Sequence, residues 1–356
     1  MKISSVVNVI NAFTPKFKQK SIFIGYPDYD DMLRGIIPEI QGDLIVLVED
    51  VEQPKWASGL NVVKKKSVLG LYHLVTSKTI YFTHGVIEGF ELLDIQRQRV
   101  INLFHGMPLK SIGFMDNKDS VPKSHKVIAS SEFFRPIMAK SFGLDLKDVV
   151  VTGLPRNEIL QTTSNNNKLN FLKEYGDKVV IWLPTYRKSN NGDIREEGNS
   201  DIYKDIDFDI INEHFEKNNA LLIVKPHPMD VNSFDLNEYK NIIKIDEEWL
   251  KNKDATLYEL LSLTHSLWTD YSSVFIDYAL KGKNIVFLQF DKESYNNDRS
   301  FTFDISRDNI PGILIDRKHA FYELLNANFN DIFKGVSNLP NYIERIRYDH
   351  SLFFDN

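Results

Sequence analysis

Short, nearly continuous apolar runs alternating with helical patterns constrain this chain more than any other feature. In the first half, "SIFIGYP" (21–27), "DLIVLVE" (43–49), "TIYFTHG" (79–85), "VINLFHG" (100–106), "KVIAS" (126–130) and "DVVVTGLP" (148–155) read as strands. The second half continues with "KVVIWLP" (178–184), "ALLIVKP" (220–226), "SLWTD" (266–270), "NIVFLQF" (284–290) and "GILID" (312–316). Strands that are apolar throughout, rather than at every second residue, belong to parallel sheets covered by helices on both faces. The intervening periodicity predicts those helices. Met32, Leu33 and Ile36 share one face, and so do Phe134, Ile137, Met138 and Phe142, a run that Ser130 or Ser131 would cap and Gly143 would stop. "ATLYELLSL" and "SVFIDYALKG" give two more.

A chain of 356 residues exceeds what one hydrophobic core supports. The polar, Asn-rich segment 161–170 suits an inter-domain connection. The expectation is an α/β protein of two Rossmann-like domains facing a central cleft, over residues 1–160 and 161–335, with 336–356 packing back on the first. The polar loop 188–207 reads as a mobile active-site flap. A formal charge of −6 argues against general nucleic-acid binding. The absence of cysteine excludes disulfides, thiol catalysis and cysteine-based metal sites. The N-terminal segment has neither a signal-peptide pattern nor a spanning length of apolar residues. Its Val6, Val7, Val9, Ile10 and Phe13, followed by Lys16, Lys18 and Lys20, either pack on the domain or rest on an anionic membrane surface.

Four stretches at strand ends carry candidate chemistry: "FHGMPLK", "LPTYRK", "VKPHP" and "WTDYSS". In the first, Ile101, Leu103 and Phe104 read as a strand that Gly106 and Pro108 break, leaving His105 at its end, where open α/β sheets bind ligands. Taken singly, each stretch has a plain structural reading: a satisfied histidine, a Thr185 turn, an Asp270 helix cap. Together they suit phosphate. A helix starting at Ser272 or Ser273 offers backbone N–H groups and hydroxyls, and Arg187, Lys225 and His227 add cationic or hydrogen-bonding groups. Neither a G-x-x-x-x-G-K-[ST] loop nor a G-x-G-x-x-G fingerprint is present. Asp28, Asp30 and Asp31 fall at a helix start, where acidic residues favour the dipole, so no metal is expected.

The ordered set "FHGMPLKSIG", "VTGLPRNE", "WLPTYRKS", "VKPHP", "WTDYSSVFIDYAL" and "DRSFTFDISRDNIPG" resembles the CDP-glycerol glycerophosphotransferase family over about residues 80 to 330. Met107 and Ser300 depart from the family pattern. The resemblance implies a GT-B-like architecture, with an acceptor domain first and a nucleotide-donor domain second. It further implies transfer of a polyol phosphate, glycerol phosphate from CDP-glycerol or a related CDP-polyol, to a hydroxyl of a teichoic-acid-like or capsular polymer, lipid-linked or not, with release of CMP. His105 and His227 are the implied catalytic residues, His105 as general base. His227 with Arg187, Asp270, Ser272 and Ser273 would grip the nucleotide phosphates, and Arg156, Thr185, Lys225 and Arg299 complete the implied substrate contacts. His84 and Lys110 are candidate acceptor contacts, with a structural histidine the other reading of His84. The implied enzyme needs no metal or other cofactor and works in the cytoplasm, with peripheral contact at the inner face of the membrane. The competing readings are a GT-B glycosyltransferase using a nucleotide sugar and a non-catalytic binding module. Retention of His105, Arg187 and His227 weighs against the second, because buried charge is costly to keep without use.

Overall fold

The computed structural model describes residues 9–86, 97–162, 164–185, 203, 206–227, 235–292, 301–303, 309–336 and 339–354. Arg187, Arg299, Ser300 and most of the 188–207 loop lie outside them. The chain divides into two compact units, Met1–Ile159 with Glu344–Asn356, and Leu160–Ile343.

In the first unit the strands are β1 (Phe17–Ile24), β2 (Asp43–Val48), β3 (Asn61–Lys64), β4 (Ser77–Phe82), β5 (Arg99–Asn102), β6 (Lys126–Ala129) and β7 (Val149–Val151). They form one sheet in the order β3-β2-β1-β4-β5-β6-β7. Every pairing is parallel. Its helices are α1 (Asp31–Ile36), α2 (Val68–Thr76), α3 (Phe134–Phe142) and α4 (Pro155–Gln161). In the second unit, β8 (Val179–Leu183), β9 (Leu221–Val224), β10 (Ile242–Lys244), β11 (Ser266–Thr269), β12 (Asn284–Leu288) and β13 (Ile313–Ile315) form a parallel sheet in the order β10-β9-β8-β11-β12-β13. Helices α5 (Phe208–Lys217), α6 (Glu247–Lys253), α7 (Leu257–Ser262), α8 (Val274–Tyr278) and α9 (Lys318–Asn328) belong to it.

Both sheets are wound outward from their first strand and then back, so each has a switch point: β1 beside β4, and β8 beside β11. Loops leave a switch point in opposite directions and open a crevice there. The strands' apolar character follows from double-sided burial. Val179, Val180, Ile181 and Trp182 are all fully buried, as are Leu222, Ile223 and Val224.

Three local readings are corrected. The fifth strand stops at Asn102, and Phe104 takes a left-handed φ of 50° instead of continuing it. The Asn102 carboxamide oxygen accepts from the Phe104 N–H at 2.9 Å, which turns the chain before the ladder can continue. Ser130 and Ser131 do not cap α3, which starts at Phe134 after Phe133 with no side-chain cap. The edge strands β3 and β10 fall in stretches that show no extended apolar run.

The acidic group before α1 also divides. Asp30 is its N-cap, accepting from Leu33 N at 2.8 Å, while Asp28 pairs with Lys65 at 2.6 Å and accepts from the Glu49 and Asp50 N–H groups. Asp28 thereby ties the loops after β1, β2 and β3.

Close backbone approach at two glycines completes the unit. A Cβ on Gly153 would lie 2.3 Å from the Ile346 carbonyl oxygen, where the C-terminal segment crosses. One on Gly35, inside α1, would lie 2.2 Å from the Pro155 carbonyl oxygen at the start of α4. Backbone cannot rotate away as a side chain does, so Gly35→Ala must separate α1 from α4. A loss of about 1–3 kcal/mol is expected, read as a lower urea midpoint at unchanged slope. An unchanged midpoint would show that the two helices part freely.

Candidate active site

The first unit gathers its candidate residues where β4 and β5 end. Thr83 follows β4 and is 1% exposed; its hydroxyl accepts from Tyr26 N across the β1–β4 switch point at 3.2 Å and meets His84 Nδ1 at 3.0 Å. The Thr83 carbonyl faces His105 Nδ1 at 3.4 Å. A carbonyl can only accept, so this contact holds the proton on Nδ1 and leaves the Nε2 lone pair available. That is the tautomer a general base needs.

His105 is also held by its ring faces. His84 stacks on it with centroids 4.0 Å apart and planes 4° apart, and Phe104 lies 3.9 Å away, tilted by 36°. Tyr26 closes on His84 edge-on at 5.6 Å. Both histidines are solvent-exposed residues. Desolvation of the faces, then the neighbouring His84, hold His105 well below the ordinary histidine value. Desolvation and Lys65 lower His84 in the same direction. The His105 carbonyl accepts from Arg156 Nη1 at 2.9 Å, so α4 fixes the backbone while the rings fix the side chain. Lys110 lies half-buried beyond the loop.

In the second unit the candidate residues lie at the ends of β9, β8 and β11, which are neighbours in that order. Two strand spacings separate the outer pair, roughly 10 Å. Asp270 is 1% exposed, and its carboxylate accepts from Thr185 N at 2.9 Å, from the Thr185 hydroxyl, and from its own neighbour Tyr271 N at 2.6 Å. Gln289 donates to the Asp270 carbonyl at 3.0 Å. The carboxylate therefore clamps the turn after β8 to the turn after β11, and this corrects its reading as a helix cap, since the helix that follows starts after Ser273 with no side-chain cap. Thr185 is the clamp's other half.

Lys225 is 7% exposed and bonds Glu247 at 2.7 Å, in the first turn of α6. His227 follows it and is exposed. Ser272 and Ser273 are half-buried at the start of α8, where the Ser272 hydroxyl accepts from Val274 N at 3.4 Å. Arg187 and Arg299 lie outside the described residues.

The sequence reading missed Thr83, Asn102, Glu247 and Gln289. A polar residue inside or just after an apolar run was the available mark for Thr83, Asn102 and Gln289. Glu247 carried none, since acidic residues in a first helical turn are commonplace.

Asp270→Ala should leave the Thr185 N–H and hydroxyl without their charged acceptor, each such bond being worth about 1.5–3 kcal/mol. The urea midpoint should fall, and Asp270→Asn, which keeps one acceptor oxygen, should lie between that variant and wild type. Equal stability of all three proteins would mean that the clamp holds nothing.

The family model for CDP-glycerol:poly(glycerophosphate) glycerophosphotransferase matches residues 38–335. The teichoic acid ribitol-phosphate polymerase TarL of Staphylococcus aureus is 28% identical over 267 residues, covering 70% of this chain and 45% of TarL. The teichoic acid poly(glycerol phosphate) polymerase of Bacillus spizizenii is 22% identical over 313 residues, 82% of this chain and 76% of that protein. The chain spans about half the length of the ribitol-phosphate polymerases it matches. The structure of the wall teichoic acid polymerase TagF aligns with a TM-score of 0.69 at 19% identity, over 94% of this chain and 89% of that one, and so shares its fold. With the family model matching residues 38–335, and so most of both units, this chain belongs to the CDP-glycerol:poly(glycerophosphate) glycerophosphotransferase family.

Proposed function

We propose that this chain transfers a polyol phosphate from a CDP-polyol, CDP-glycerol first among them, to a hydroxyl of a teichoic-acid-like or capsular polymer, releasing CMP. The observation that carries the reading is the Thr83 carbonyl against His105 Nδ1, which leaves Nε2 as the proton acceptor of an exposed histidine. The acceptor oxygen attacks the phosphorus that bears the polyol. Nε2 takes the hydroxyl proton as the new oxygen–phosphorus bond forms, and the bond to the CMP phosphate breaks. Transfer of this kind depends on positioning and on charge stabilisation more than on covalent chemistry. His227, Arg187, Arg299 and the Ser272 and Ser273 hydroxyls supply groups for the phosphate charge, and Lys225 adds a cation anchored by Glu247.

Glycerol and ribitol both appear in the names of relatives, and the mass added per turnover distinguishes the two units. A nucleotide-sugar glycosyltransferase would instead add a sugar without phosphorus.

With cationic and hydroxyl groups carrying the charge, turnover should survive chelation. On CDP-glycerol or CDP-ribitol with a short synthetic acceptor, His105→Ala should lower kcat by roughly two to four orders of magnitude. CDP affinity by calorimetry should change little. Near-wild-type turnover of this variant would remove His105 as the base, and activity abolished by EDTA and restored by magnesium would contradict the metal-free reading.

We also propose peripheral membrane contact, through the N-terminal corner of the first unit. Among the described residues no helix is long and apolar enough to cross a membrane. Residues 9–13 form a helical turn whose polarity is inverted: Asn11 is buried and bonded to Gln98, whereas Phe13 is 84% exposed. Val9, Ile10, Phe17, Val68, Leu69 and Tyr72 are exposed as well. Lys16 ties the turn to α2 through the Val75 carbonyl, and Lys20 lies over both the Phe17 and Tyr72 rings. Exposed Lys18, Lys64 and Lys66 add positive charge nearby in sequence. Apolar groups with lysines suit an anionic lipid surface. Phe13→Ser with Leu69→Ser should weaken cosedimentation with phosphatidylglycerol vesicles roughly tenfold while leaving the fold intact, as both side chains face solvent. Equal sedimentation of wild type and variant would end this proposal.

A further inference from the structure

The His84 imidazole has no part in the proton transfer just described, yet its ring lies face to face with that of the base. The two rings lie parallel within 4° at 4.0 Å, an arrangement that needs both rings to be held independently. Thr83 holds them both: its hydroxyl meets His84 Nδ1 at 3.0 Å and its carbonyl faces His105 Nδ1 at 3.4 Å. Its hydroxyl is in turn fixed by the Tyr26 N–H at 3.2 Å, and the Tyr26 ring abuts His84 edge-on at 5.6 Å. His84 is therefore a plate clamped from β4 and from the loop after β1, with the base laid against its face.

We infer that His84 is a positioning residue for the general base: it holds the His105 ring in the plane that the Thr83 carbonyl contact sets. The inference rests on the proposed role of His105 and extends it to a residue outside the transfer itself.

The neighbouring charges agree with that role. Arg156, bonded to the His105 carbonyl, opposes a proton on His105, and Lys65 opposes one on His84. Lys65 is itself paired with Asp28, whereas burial pushes the Asp30 carboxyl up to about 7 despite the influence of Arg156. With a cation near each ring, the pair is kept neutral. A base loses activity as pH falls through its pKa, because the protonated ring cannot accept. Holding that pKa low keeps the base competent further into acid.

Two variants separate the plate from the charge. His84→Phe keeps an aromatic face and removes the titrating ring; His84→Ala removes both. The His105 ring proton and carbon resonances, assigned with His105→Gln among the nine histidines, would be followed through a pH titration of each full-length protein without substrate. The His105 midpoint should rise from wild type to His84→Phe and again to His84→Ala. On CDP-glycerol or CDP-ribitol with acceptor, His84→Ala should lower kcat on the order of ten- to a hundredfold, with the donor KM little changed and the acid limb of kcat/KM moved upward. His84→Phe should recover most of the turnover. An unchanged His105 midpoint in both variants overturns the inference. So does a rise confined to the acceptor KM, which would make His84 an acceptor contact. The titration needs no turnover, so a chain with no transferase activity whose His105 midpoint still shifts would refute the proposed reaction while leaving the ring pairing intact.

Discussion

Parallel strand pairing dictates most of what this protein can do. Each parallel crossover must carry the chain from the end of one strand back to the start of the next, so all strand ends of a sheet fall on the same edge. In the first unit that edge receives Thr83, Asn102 and His105, and in the second it receives Thr185, Lys225 and Asp270. The double-sided cover that parallel sheets require removes water from everything below. Polar groups at the edge lie at the border of that cover: Thr83, Asn102 and Asp270 are still buried, whereas Thr185 is half-buried and His105 exposed. Their placement is a by-product of the pairing, and their chemistry is what the sequence has chosen to put there.

Much of that polar chemistry is spent on the protein itself. Asp28 joins the loops after three strands, Asp270 joins two, and the C-terminal segment is pinned through Tyr348 N to Glu158 and Asp349 N to Thr152. A buried carboxylate is tolerable only when several donors face it, and one with three donors makes a stiff joint. Such joints explain how loops can aim side chains as well as regular elements do. The turn that presents His105 is set the same way, by Asn102 accepting from Phe104 and by Arg156 donating to the His105 carbonyl.

The sequence made the central strands plain because burial on both faces leaves an unbroken apolar run. It hid β3 and β10 for the converse reason. Both are edge strands, and in "NVVK" only Val63 is buried. Phe104 was misread because an apolar residue after a strand looks like more strand, while the deciding atom belongs to Asn102. His105 and His227 stood out as histidines at the ends of apolar runs. The pairing of His84 with His105 could not be read, since it depends on register between β4 and β5, where Phe82 lies opposite Asn102. Asp270 illustrates the same limit: a carboxylate beside two serines looks like a cap, and only its three donors identify it as a joint.

A lowered His105 basicity sits oddly with a general base, since a weaker base pulls less on the proton. The resolution lies in when the proton must move. Phosphoryl transfer passes through a loose transition state in which the attacking oxygen has formed little bond and carries little positive charge. The demand on the base is then small until late in the reaction, and availability matters more than strength. An imidazole kept neutral by its neighbours is available over a wide pH range. The larger demand falls on the side of the leaving phosphate, where negative charge accumulates and where cationic and hydroxyl groups act most strongly. A weak base and strong charge stabilisation are thus complementary requirements of the one proposed reaction.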